Sequence, residues 1–308
     1  MRDFNGLEKG NILMRRNKMT LSFGAKSYVE TPRGKSLFLS ICFSITTLLL
    51  AAALPAAAVA GIRLTIDEGV PDNIRTTFKR GVTEGERFYK DNFGVTLKKD
   101  VEIVLAKDKD SFAKALLRLG CDKTIEQAKK HAAKAGGSTC PKGIAMAQSK
   151  NLDFLIGVTM HELTHKYQFQ EAPDDRSGDI WWLVEGGATA TGCYIKDKIG
   201  VLSLQNSYKD YLGELKGKRH PLLKDVRKHG DHNKAYQDKY PGGTYNTETL
   251  AALELARRKG ITSLYQYFLN LKKNKDSAKV FEMTFGIKLD RFEKEFESWL
   301  TQQLAQKK

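Results

Sequence analysis

The sequence predicts an α+β fold, with a small sheet lobe over residues 61–170 and a mostly helical lobe over 171–308. Two observations carry that expectation. Short apolar, partly β-branched runs at Ile62 to Ile66, Val101 to Ala106 and Gly143 to Gln148 have strand length and are separated by segments of helical spacing. Towards the C terminus the apolar residues instead recur in helical stripes: Leu250, Leu253 and Ala256, then Leu264, Phe268 and Leu271, then Phe292, Phe296, Trp299 and Leu300.

In chain order, the first feature is an export signal. Arg33 and Lys35 precede the apolar run Leu37 to Leu54, and Pro55 and a series of alanines follow, with Ala58-Val59-Ala60 as the expected cleavage site before Gly61. The preceding segment is long for such a signal, so Met14 or Met19 is an alternative start. The other reading is an uncleaved membrane anchor, because the run approaches the roughly 18 to 20 residues that span a bilayer. Cleavage is preferred and places the protein in the periplasm or outside the cell. Removing residues 1–60 leaves 248, enough for one large domain or two lobes around a cleft.

After the Ile62 to Ile66 strand, Ile74, Phe78, Val82, Phe88 and Tyr89 mark a helix that ends near Gly94. The Val101 to Ala106 strand follows, then short helices around Ser111 to Leu119 and Thr124 to Ala135. Cys121 and Cys140 bracket a polar, alanine-rich stretch and can close a loop worth roughly 3 kcal/mol in chain entropy, a pairing suited to an exported protein. Cys193 is then a small buried residue rather than a ligand or nucleophile.

Charge excludes little but is unbalanced. The chain carries 51 lysines and arginines against 36 acidic residues, a net +15, spread through pairs such as Lys98-Lys99, Lys129-Lys130 and Lys272-Lys273. A solvated basic face is the plain reading; attraction to anionic envelope polymers, membrane surfaces or acidic substrates is the functional one. No zinc knuckle, helix-turn-helix or aromatic RNA-binding signature accompanies the charge, so nucleic acid is not an expected partner. Oligomeric state is not legible.

The stretch His161-Glu162-Leu163-Thr164-His165 carries the chemistry. Positions i and i+4 lie nearly one above the other on a helix, so two imidazoles there can converge on one metal ion. Glu162 follows the first histidine, within reach of a water on that metal, as in zinc peptidases. Leu155, Ile156, Val158 and Met160 before it suit a buried helix. The alternative is two histidines in chance register, in a chain with only 6. Catalytic zinc takes three protein ligands and an open position. Glu185 lies twenty positions after His165, room to end one helix, cross a loop over residues 172–179 and begin a second.

In these residues, and in Trp182-Leu183-Val184-Glu185-Gly186-Gly187-Ala188, the chain resembles the gluzincins, the thermolysin and aminopeptidase type of metallopeptidase, and among them the small secreted peptidase-like proteins that include plant basic secretory proteins. The resemblance implies a zincin-like fold, Zn²⁺ held by His161, His165 and Glu185, Glu162 as general base, and a peptide or protein substrate. It also implies an edge strand ahead of the metal helix that pairs with the substrate backbone; Gly143 to Gln148 is the candidate, an ordinary buried strand the alternative. Two positions depart from the pattern: Lys166 follows the second histidine, and Thr189 stands where an acidic residue often supports the ligands. Gly242-Gly243-Thr244-Tyr245 leads into a helix expected to be capped by Asn246 or Thr247. Tyr245 is a candidate oxyanion donor, with Tyr240, His220, His229 and His232 as rivals and a purely structural tyrosine as the alternative. Trp181 and Trp182 are read as core that can also line a cleft.

Overall fold

A computed structural model of the chain describes residues 61–172 and 180–306. The leader and the expected loop over residues 173–179 lie outside the described residues. The described segments belong to one unit, Ala57–Lys308.

The fold is α+β. Strand β1, Ile62–Ile66, is followed by helix α1, Asp72–Phe93, and strand β2, Val101–Ala106. Helices α2, Lys109–Arg118, and α3, Ile125–Lys134, lead to strands β3, Gly137–Cys140, and β4, Gly143–Ala147. The sheet order is β1-β2-β4-β3, with β1 and β4 parallel to β2 and β3 antiparallel to β4. Side-chain alternation along β2 explains why its run is apolar throughout. Ile103 and Leu105 pack with α1 on one face, while Val104 and Ala106 pack against α2 and α3 on the other, so neither face meets water. Helix α1 stops at Gly94, which takes the left-handed conformation at φ 64°.

The edge strand differs from the expectation. Gly143–Ala147 lies between β2 and β3, inside the sheet, and β3 is the outer strand. Gly-Ser-Thr-Cys carries no apolar run, so its strand character is invisible to hydrophobic patterning; it forms because Pro141 and Lys142 turn the chain back onto β4 and Cys140 pairs with Cys121 in a disulfide. Cys193 is free and buried, as expected.

Helices α4, Leu152–Glu171, and α5, Trp181–Lys198, are buried on most of their surface, polar residues of α4 included, so neither presents the single apolar stripe of a surface helix. Asn151 caps α4 by accepting from the Phe154 N–H. The α5 start has no such cap, and the Trp181 N–H instead donates to the Arg227 carbonyl. Contacts between Gly157 and Gly192, His161 and Thr189, and Gln168 and Val184 show the pair to be antiparallel.

The remainder is helical: α6, Leu204–Leu215; α7, His229–Lys234; α8, Thr244–Lys259; α9, Thr262–Leu271; α10, Ser277–Phe285; and α11, Leu289–Ala305. The expected stripes lie on α8, α9 and α11 and form a second core with α5. Trp182 belongs to this core, stacking on Phe292 and donating to Glu293. Neither Asn246 nor Thr247 caps α8. The helix begins at Thr244, with Gly243 at the cap position, where the Gly243 and Thr244 N–H groups donate to the Tyr240 carbonyl, so Tyr245 stands in its first turn. No helix among the described residues is long and apolar enough to cross a membrane.

Candidate metal centre

The register of α4 and α5 brings three acceptors to one point. His161 Nε2 and His165 Nε2 are 2.9 Å apart, and Glu185 Oε2 is 3.3 Å from the first and 3.4 Å from the second. The partners of the other ring nitrogens fix which face carries a lone pair. The Thr189 hydroxyl lies 3.2 Å from the Glu185 carbonyl and 3.0 Å from His161 Nδ1, and when it donates to the carbonyl it accepts from Nδ1. Gln168 gives its amide N–H to the Val184 carbonyl, so its oxygen faces His165 Nδ1 at 2.8 Å and accepts there. In that arrangement both Nδ1 atoms hold protons and both Nε2 lone pairs point at Glu185.

Two lone pairs and a carboxylate in near contact call for a cation between them. Without a metal a proton takes that place. Burial disfavours charge on His165, yet the Glu185 carboxylate outweighs it and raises the imidazole pKa. Burial likewise disfavours the Glu185 carboxylate, and the His165 charge and the two imidazole hydrogen bonds outweigh it and hold the pKa well below the usual range. His161, His165 and Glu185 form the one group among the described residues that could hold a metal ion. Tetrahedral coordination with bonds of about 2.0–2.2 Å separates ligand atoms by roughly 3.3–3.6 Å; the two Glu185 contacts, at 3.3 and 3.4 Å, match that spacing, and the two histidine nitrogens, at 2.9 Å, stand closer. Imidazole nitrogen and carboxylate oxygen suit a borderline divalent metal. Thr189 thus meets the His161 imidazole at the position where the expected pattern has an acidic residue.

A cavity of about 860 Å³ opens over the triad, lined also by Glu162, Tyr245 and the β3 residues Gly137 to Thr139. The Thr139 hydroxyl lies 2.8 Å from both the Glu162 backbone carbonyl and its Oε2, fixing the carboxylate beside the histidines. Gly137 is needed there for close approach, since a Cβ would fall 2.9 Å from Glu162 Cγ. Lys166 donates to the Cys140 carbonyl and ties the same helix to the end of β3. Across the cavity, the Tyr245 ring centroid is 6.3 Å from that of His161. Burial, and then the Glu185, Glu248 and Glu162 carboxylates, push the phenol pKa well above its ordinary value, so Tyr245 keeps its proton and remains a donor.

The rivals divide. Tyr240 and His220 do not line the cavity. His229 lines it and packs on Trp181 with ring centroids 4.3 Å apart. His232 is buried behind Tyr245, edge-on to it at 5.3 Å, with Nδ1 2.7 Å from Glu248 Oε1. Burial pushes the Glu248 carboxyl up to about 7, although His232 draws it down. Burial opposes charge on His232 in turn, and the Glu248 hydrogen bond and charge outweigh it.

Sequence reading missed Thr139, Gln168 and Glu248. Gln168 was within reach, three positions after His165 on one helix face; the other two meet the site only through tertiary packing. The chain matches no protein-family model, no curated protein and no solved structure.

Proposed function

We propose that the chain is an exported zinc peptidase of zincin-like fold, with His161, His165 and Glu185 as zinc ligands and Glu162 as general base. The observation that carries this reading is the convergence of two oriented Nε2 lone pairs and a carboxylate in a cavity that Glu162 also faces. Bound zinc would lower the pKa of a water towards about 7 and polarise a carbonyl oxygen.

The chain's own residues supply the rest. Glu162, positioned by Thr139, takes a proton from the attacking water and passes it to the departing nitrogen. Tyr245, protonated and opposite His161, donates to the oxyanion, a contribution of about 2.7–4 kcal/mol for a well-placed donor. The outer strand β3 borders the cavity and offers backbone groups for an extended peptide to pair with. Zinc analysis and hydrolysis of a diverse peptide mixture test the reading. One zinc per chain with chelator-sensitive hydrolysis is expected; no bound zinc in protein handled without chelator would overturn it.

A further inference from the structure

The cavity floor continues along α5 beyond the triad. Glu185, Thr189, Cys193 and Lys196 follow one another on a single face of that helix and all line the cavity. Lys196 is the unusual member: an ammonium on a residue only 8 % exposed, where lysine is seldom found without a purpose for its charge. Its Nζ lies 3.2 Å from Asp153 Oδ1 in an ion pair without hydrogen-bond geometry, and makes no hydrogen bond to another described residue. An ammonium has three donors, so donors remain for a group in the cavity. The Asp153 side chain is 42 % exposed, but the Oδ1 that faces Lys196 is buried.

The Lys196 ammonium lies beside the α4 backbone. Gly157 lies opposite, and a Cβ there would stand 3.6 Å from Nζ. Gly157 precedes His161 by four residues, about 6 Å along the helix axis, or roughly two residues of an extended peptide. Of the acidic residues that line the cavity, Glu162 and Glu185 lie at the triad, and the other lysines lie on α3. Lys130 and Lys134 of α3 line it without an ion pair to a described residue, while Asp122 is engaged with His131 at 3.0 Å.

We infer that Lys196 is a specificity-determining residue that binds a carboxylate of the substrate within about three residues of the cleaved bond, either an acidic side chain or the C-terminal carboxylate. This rests on the peptidase reading for what enters the cavity, but the carboxylate site itself is tested separately from it.

The experiment compares wild type, Lys196→Gln and Lys196→Arg on matched peptides with Glu, Gln or Lys near the cleaved bond, each with a free or an amidated C terminus. A charge-assisted hydrogen bond corresponds to a preference of about tenfold or more in kcat/KM. A preference for Glu over Gln identifies an acidic side chain; a preference for free over amidated peptides identifies the C terminus. Lys196→Gln is expected to reduce either preference to within about twofold, while Lys196→Arg, which keeps the charge, retains it. A wild type that does not discriminate, or a folded Lys196→Gln protein that still does, overturns the inference. If no peptide is hydrolysed, fluorescence polarisation of the same peptides decides. Acidic peptides that bind preferentially through Lys196 would keep the carboxylate site and remove the peptidase reading, and equal binding of all peptides would overturn the site.

Discussion

The two walls of the cavity are built by opposite means. On the sheet side stands β3, four small or polar residues held by a backbone ladder and the Cys121–Cys140 disulfide, with the cationic face of α3 beside it. On the helical side Trp181, Tyr236 and Tyr245 present rings, held from behind by the buried His232–Glu248 pair. There α5 and α8 touch through bare backbone at Gly186, where a Cβ would sit 2.2 Å from the Glu248 carbonyl oxygen. A strand with almost no apolar surface needs a covalent tether to stay in place; an aromatic wall is secured by burial, and its polar partners must then satisfy each other. The first wall positions Glu162 through Thr139, and the second positions Tyr245.

That contrast can be broken from either side. The largest effect is expected from His232→Leu, which leaves Glu248 buried without its partner. Removing one member of a buried pair costs about 3–5 kcal/mol, so urea unfolding should show a loss in that range, and a loss below about 1 kcal/mol would mean the helical wall does not depend on the pair. Next, Cys121→Ser opens the sheet wall. The same titration should show a loss of about 3 kcal/mol with zinc content unchanged, because none of the ligands lies on β3. Loss of zinc in that variant would contradict the separation of the two walls.

Thr189→Val tests the orientation of His161 alone. It removes the acceptor for Nδ1 and should weaken zinc binding by about 10–100-fold in competition with a chelator, with little change in melting temperature. The smallest effect concerns Glu102 on β2. The Arg118 hydrogen bond, opposed by burial and aided by Thr65, holds its carboxyl at about 2 against an ordinary 4.5. Its folded pKa lies below its unfolded one, so the stabilisation is full above about pH 4.5 and disappears as pH falls towards 2. Arg118 is half exposed, which limits the contribution to about 1 kcal/mol. Glu102→Gln should therefore melt slightly below wild type at pH 6, and the two curves should converge near pH 2.

Much of the fold was legible where local pattern decides it. The strands at Ile62 and Val101 and the helix ending at Gly94 follow from apolar runs and a left-handed stop. β3 is not legible, because disulfide and turn rather than composition make it a strand, and without it the sequence puts β4 at the edge. Asn246 and Thr247 were expected as caps from their side-chain types, but α8 starts where the chain turns at Tyr240. In the site, the triad could be read because helix periodicity and spacing encode it. Thr139, Glu248 and Lys196 could not, since each acquires its role only through packing between distant elements.

The most direct test sets wild type beside Glu162→Gln, with zinc content and peptide hydrolysis measured on the same preparations. Glu162 contributes no ligand atom to the triad, so the expected result is one zinc per chain in both proteins and hydrolysis by the wild type alone. Wild-type rates of hydrolysis by Glu162→Gln would contradict the assignment of the base. Zinc in both proteins with hydrolysis by neither would leave a metal-stabilised binding protein in place of the enzyme.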